Sequence, residues 1–182
     1  MGYRVVILDK NQIKRVIQRL AFEVLERHGE CENLALIGIY RRGVYLAQRI
    51  KDILQENSKT EIPLGKLDIN FYRDDWTSLD KHPIINKTEI QFDINDKNIL
   101  LIDDVIYTGR TVRAALDAIL DFGRPAKVEL LTLVDRGHRE LPIHPDYCGK
   151  KIDTSRREHV DVLLEEIDGK DIVELLKICD SY

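Results

Sequence analysis

The segment Asp103-Asp104-Val105-Ile106-Tyr107-Thr108-Gly109-Arg110-Thr111 follows the apolar run Ile99-Leu100-Leu101-Ile102 and leads into a helical pattern. Backbone N–H groups at a helix start point outward, and the helix dipole favours negative charge there. Gly109 permits a tight turn, and the hydroxyls of Thr108 and Thr111 add donors. Ionised carboxylates only accept hydrogen bonds, so Asp103 and Asp104 suit ribose hydroxyls or a hydrated Mg²⁺. A ligand carrying a phosphate, a vicinal diol and a metal would satisfy the whole segment. The plain structural alternative is a Thr111 helix cap beside solvated strand-end acids. The segment is not a Walker loop, because Gly-x-x-x-x-Gly-Lys is absent, and it has no Gly-x-Gly-x-x-Gly.

The elements that must position this loop follow from periodicity. Asp9 or Asn11 can cap a helix running to about His28, with Ile13, Val16, Ile17, Leu20 and Val24 on one face and Gly29 as its stop. Leu34–Ile39 reads as a buried strand ending at Arg41-Arg42-Gly43, after which Leu46, Ala47, Ile50, Ile53 and Leu54 mark a second helix. Leu67, Ile69 and Phe71 alternate with Asp68 and Asn70, which predicts a half-exposed strand. From Arg73 to Thr88 the pattern dissolves into charges, Ser, Pro and Asn, so a long mobile loop is expected over about 73–90. Asn98–Ile102 and Val128–Val134 read as buried strands, Thr111–Phe122 as a helix, Val160–Leu164 as a late strand and Asp171–Ile178 as a closing helix. Alternating strands and helices imply an α/β fold with a mainly parallel central sheet flanked by helices. Ligands in such folds bind beyond the C-terminal strand ends. That rule lines up Arg41–Gly43, Tyr72–Asp75, Asp103–Thr111 and Asp135–Gly137 along one edge.

Ile99–Thr111 closely resembles the phosphoribosyl pyrophosphate signature of type I phosphoribosyltransferases: apolar residues, two acids, a spacer, then Thr-Gly-x-Thr. Gly38–Gly43, Tyr72–Asp75 and Val134–Pro142 are similar to the branch that combines pyrimidine operon attenuation with uracil phosphoribosyltransferase activity. The resemblance spans nearly the whole chain and implies one phosphoribosyltransferase domain over 1–182, with a small hood (about 135–165 plus N-terminal elements) and a mobile active-site loop. It implies that Thr108, Gly109, Arg110 and Thr111, with the spacer Val105-Ile106-Tyr107, hold a 5′-phosphate. Asp103 and Asp104 would hold the ribose diol, with Mg²⁺ carried mainly by the substrate. Arg41, Arg42 and Gly43 match the pyrophosphate loop, and two guanidinium groups after a buried strand suit a polyanion or form a solvated basic turn. Arg42 joins Asp103 and Asp104 in the expected catalytic set, while Arg41 stands where family members often carry a small residue. Arg73 opens the mobile loop and is, with Lys87, a candidate to reach pyrophosphate. Arg136 would donate to a phosphate or a uracil carbonyl, or pair with Asp135. Val160 would line the base pocket or belong to the core.

The resemblance further implies uracil, UMP or UTP as ligands, a pyrimidine leader mRNA as a partner, and a homodimer or higher homo-oligomer. Arg19, Arg27, His138, Arg139 and Lys150 are the candidate RNA contacts, with dispersed solvated charge as the alternative. Gln18, Phe22 and His144 depart from the polar or basic residues the branch carries at those positions. The formal net charge of −4 argues against uniform positive potential but allows a local basic face. A composition 43% hydrophobic and 33% charged fits a soluble globular domain. No apolar run is long enough to span a membrane, and a cytoplasmic location without membrane partners is expected. Cys31, Cys148 and Cys179 lack metal-binding or disulfide spacing.

Overall fold

The computed structural model describes residues 2–72 and 87–178, apart from the Ile178 side chain. The chain runs β1 (Gly2–Leu8), α1 (Lys10–His28), β2 (Leu34–Ile39), α2 (Arg42–Ser58), β3 (Leu64–Leu67), a 3-10 turn (Asn70–Tyr72), β4 (Asn98–Ile106) and α3 (Arg110–Leu120). It continues through β5 (Lys127–Asp135), β6 (Tyr147–Lys151), β7 (His159–Leu163), α4 (Glu165–Asp168) and β8 (Ile172–Ile178). A five-stranded sheet takes the order β3-β2-β4-β5-β6, and every neighbouring pair in it is parallel.

Why the strands read as unbroken apolar runs is visible in the packing. Leu34, Leu36, Leu100 and Ile102 face a core built with Ile13, Ile17, Leu46 and Ile50 of α1 and α2. Their neighbours Ala35, Ile37, Ile99 and Leu101 face a second core with Val112, Ala115 and Ile119 of α3. Both faces of the sheet are covered, so alternation between polar and apolar residues has no place in β2 or β4. The first helix begins as its sequence predicts. Asp9 accepts from Gln12 N at 2.8 Å while the Gln12 side chain accepts from Asp9 N at 2.9 Å, a reciprocal cap. Gly29 closes it at φ +55°, donating to Leu25 O.

A second, antiparallel sheet takes the order β1-β8-β7, in the part of the chain where the resemblance implies a hood. Of the stretch 135–165 expected there, β7 joins this sheet, whereas β6 pairs with β5 in the main one. The closing helix expected over 171–178 is instead strand β8. Val173 and Leu175 are buried with Glu174 between them, and partners on both sides override helical spacing. The strand expected over 67–71 also shifts. β3 ends at Leu67, and the Asp68 side chain accepts from Asn70 N at 2.8 Å, bending the chain into a turn that leaves Phe71 68% exposed. Arg73 and most of the expected mobile loop lie outside the described residues. Its far end is fastened: Lys66 and Glu89 exchange two backbone hydrogen bonds, placing Lys87 next to this anchored stretch. Among the described residues no helix is long and apolar enough to cross a membrane.

At the N-terminal end of β5, Glu129 is 1% exposed. Burial alone would raise its carboxyl, but hydrogen bonds from Lys127, His28 and Arg27 outweigh that and hold it at about 2. Tyr147 also donates to it at 3.1 Å, so this anion is fully partnered.

Candidate active site

β4 carries the acid pair further than the sequence suggested, because the strand continues to Ile106 and keeps Asp103 inside it. Asp103 is 6% exposed, and its Oδ1 accepts from Asp104 N at 2.9 Å. Asp104 Oδ1 accepts from Val105 N at 2.9 Å. Burial, then the neighbouring Asp104 charge, pushes the Asp103 carboxyl well above the usual range. Burial also raises Asp104, against the opposing pull of its hydrogen bond to Asp103 and the Arg42 charge. Two adjacent carboxyls that resist ionisation are prepared for a ligand that brings positive charge or hydroxyl donors.

Gly109 adopts φ +93° and is the N-cap of α3, with no side-chain cap bond. The Thr111 cap considered from sequence is therefore not what starts the helix. Thr108 Oγ1 accepts from Arg110 N at 3.3 Å, and Arg110 pairs with Glu140 at 2.8 Å. Leu141 and Ile143 close on Gly109, within 3.4 and 3.5 Å of where a Cβ would sit.

The neighbouring strand end brings up the second loop. The Tyr40–Arg41 peptide is cis, and α2 starts at Arg42. Gly43 lies directly on β4: a Cβ there would be 2.4 Å from Ile102 O. This contact sets the Arg41–Gly43 loop beside Asp103. Arg42, expected to meet pyrophosphate, forks onto Asp168 of α4, with Nε at 3.1 Å and Nη2 at 3.0 Å. Burial would raise the Asp168 carboxyl, but the Arg42 hydrogen bonds and the Leu164 amide hold it below its ordinary value. Asp168 lies 126 residues from Arg42 along the chain, and no local pattern announces the pair.

Beyond β5 the roles of two arginines differ from their sequence readings. Arg136 does not pair with Asp135. Its Nη2 donates to Glu158 O at 2.6 Å and Ser155 O at 3.3 Å, and its guanidinium stacks 4.1 Å from the Tyr107 ring centroid. Its Nε is buried with no hydrogen-bond partner among the described residues. The Asp135 ion pair belongs to Arg139, at 2.7 Å. Val160 packs in the core with Leu175 and Val162.

The five candidate RNA contacts do not gather on one face. Arg139 is internal, and the His138 ring bonds Thr154 O with its edge toward Tyr107. Arg27 pairs with Glu129 and lies over the Tyr147 ring at 4.8 Å. Lys150 stands opposite Val134, five residues further along β5 than Glu129, which is roughly 17 Å. Arg19 reaches Cys148 O and Gly149 O across the α1–β6 seam, but Gly149 is the β6 residue that faces α1, so exposed Lys150 points to the other face of the strand. Gln18, Phe22 and His144 are all exposed.

With this geometry in place, the relatives can be set beside it. The phosphoribosyl transferase domain model matches residues 6–167. The bifunctional protein PyrR of Acetivibrio thermocellus is 55% identical over 172 residues, 94% of each chain. The protein of that name from Deinococcus radiodurans is 51% identical over 172 residues, again 94% of each. The hypoxanthine phosphoribosyltransferase of Staphylococcus aureus superposes with a TM-score of 0.70 at 20% identity, covering 98% of this chain and 94% of that one. At that identity the match shows the type I fold alone. The chain belongs to the phosphoribosyl transferase domain family and, within it, to the bifunctional PyrR proteins.

Proposed function

We propose that the protein is a uracil phosphoribosyltransferase, converting uracil and phosphoribosyl pyrophosphate to UMP and pyrophosphate. The observation that carries this is one strand–loop–helix unit, β4 to α3. It sets an acid pair, Asp103 buried and Asp104 half-buried, at one end and a Gly109 turn into a helix N-terminus at the other. That unit fits a ribose diol and a 5′-phosphate on one ligand.

Among the described residues no cluster of three or more His, Cys, Asp or Glu could hold a metal. Two adjacent carboxyls still fit Mg²⁺, which keeps waters and substrate oxygens rather than an all-protein cage. When bound with pyrophosphate, Mg²⁺ would neutralise charge developing on the leaving group. The chain's own residues bind and orient. Asp103 and Asp104 accept from the ribose hydroxyls, and Thr108–Thr111 hold the 5′-phosphate. Arg41 and Arg42 face the pyrophosphate once Arg42 leaves Asp168. The transition state is oxocarbenium-like at the ribose C1, so the barrier falls through positioning and electrostatics without a covalent nucleophile.

Pyrophosphate release should be measured with uracil, hypoxanthine, adenine and orotate offered separately with phosphoribosyl pyrophosphate and Mg²⁺. Release with uracil alone, accompanied by UMP, is the expected result. Release with a purine or orotate would overturn the base assignment while leaving the donor site.

A second role, uridine-nucleotide-sensed binding of a pyrimidine leader mRNA, is supported by the relatives' description as bifunctional. Binding should weaken steeply with salt, because each phosphate contact releases counterions. Retention unchanged between low and high salt, or no binding at all, would leave the enzyme alone. A homodimer or larger assembly fits the exposed Tyr3 and Val6 on β1 and Leu120 and Phe122 at the end of α3.

A further inference from the structure

Two consecutive carbonyls of the loop between β4 and α3 are held from one side by the chain that follows β5. Arg139 Nη1 donates to Tyr107 O at 2.8 Å. Glu140 N and Leu141 N donate to Thr108 O at 2.9 and 3.2 Å. Both peptides are trans, and a planar trans peptide points its N–H opposite its C=O. The amides of Thr108 and Gly109 are therefore turned away from the 135–143 segment, side by side, just before the first turn of α3.

Arg139 can fix this orientation because it is itself fixed. Its guanidinium also meets Asp135 at 2.7 Å, Ile143 O at 2.8 Å and Gly137 O at 3.2 Å. Asp135 is held in turn, accepting from Gly137 N at 2.9 Å. The Arg139 side chain is 13% exposed, too enclosed to serve as a contact for an RNA backbone.

We propose that Arg139 is a positioning residue for the 5′-phosphate: it sets the Tyr107–Thr108 peptide so that the amide faces the anion. The inference rests on the phosphoribosyl reading of the site and assigns a half-buried arginine to it. Arg139 acts on the phosphate only through the loop. Its removal therefore changes recognition of ligands bearing that group and leaves the rest of the ligand's contacts in place. A role limited to holding the fold would weaken all ligands alike.

The test compares UMP with uridine, each titrated into the full-length wild type, Arg139→Gln and Arg139→Lys by calorimetry. Arg139→Lys keeps the charge against Asp135 but cannot span Asp135 and three carbonyls, so it serves even where Arg139→Gln fails to fold. The wild type should prefer UMP. In the variants UMP affinity should fall at least about tenfold while uridine changes less than about twofold. Equal weakening of both ligands, or unchanged UMP affinity, would overturn the positioning role. A wild type that binds UMP no better than uridine would overturn the phosphoribosyl reading itself, and the inference with it.

Discussion

An Asp103→Asn, Asp104→Asn double variant is expected to melt at a higher temperature than the wild type at pH 7, yet to turn over at least about a hundredfold more slowly. Both folded-state carboxyls titrate above their ordinary value, with burial the leading cause. Between the unfolded and folded values the native state holds more protons than the unfolded one, so stability falls as pH rises through that window. At pH 7 the wild type carries that penalty and the amides do not. Asn can keep both local bonds, since its side-chain oxygen still accepts from the amides of Asp104 and Val105. The melting difference should shrink below about pH 4, where aspartates are protonated in either state. Catalysis responds oppositely, because the acceptors for the ribose hydroxyls lose their charge. The single Asp104→Asn change should cost at least about tenfold, ~1.4 kcal/mol. Melting curves from about pH 3 to 8 beside steady-state rates decide the matter. A double variant less stable at pH 7, or one with undiminished turnover, removes the acid pair from its proposed role.

Gly43→Ala is the second large effect. The new methyl would lie 2.4 Å from Ile102 O and 3.3 Å from Asp103 Cα, backbone atoms that no rotamer change can move aside. Overpacking of this kind costs about 3 kcal/mol, and relief requires parting the start of α2 from β4. The same movement separates the Arg41–Gly43 loop from the acid pair, so KM for phosphoribosyl pyrophosphate should rise together with the loss of stability. Gly29→Ala is the control. That position has φ +55° and ψ −120° with nothing within 4 Å of a Cβ, so the cost, about 1–3 kcal/mol, is one of backbone conformation alone and activity is untouched. A Gly43→Ala variant whose KM stays at the Gly29→Ala value would contradict the steric account of Gly43.

What was legible in the sequence was what local chemistry decides. The Asp9 cap, the apolar face of α1 and the Gly29 stop are each written within one helix length, and the structure repeats them. The runs that became β2, β4 and β5 were recognisable because burial on both faces leaves them almost wholly apolar. The acid pair and the Gly109 turn are contiguous, so the donor loop could be read directly. Contacts made across the fold were not legible. β8 has spacing that suits a helix and becomes a strand only because β1 and β7 flank it. Tyr147-Cys148-Gly149-Lys150-Lys151 has no strand pattern of its own and follows the edge of β5. The resemblance reads Arg136 as a ligand donor and Arg139 as a candidate RNA contact, but the left-handed turn at Gly137 and His138 decides where each one points. That turn directs Arg139 to Asp135 and the Tyr107 carbonyl, while Arg136 goes to the carbonyls of Ser155 and Glu158.

The pairing of β1 with β8, which sets Gly2 against Ile178, bears on how the chain is made. The parallel sheet can assemble from segments that leave the ribosome in order, since β2 to β6 lie between residues 34 and 151. The antiparallel sheet cannot, because β1 must wait for β8. Closing so long a loop is slow compared with local helix formation. During synthesis, β1 therefore waits unpaired beside a donor site that is already taking shape. The segments of the parallel sheet and its phosphate loop are therefore all synthesised before β1 can gain its partner.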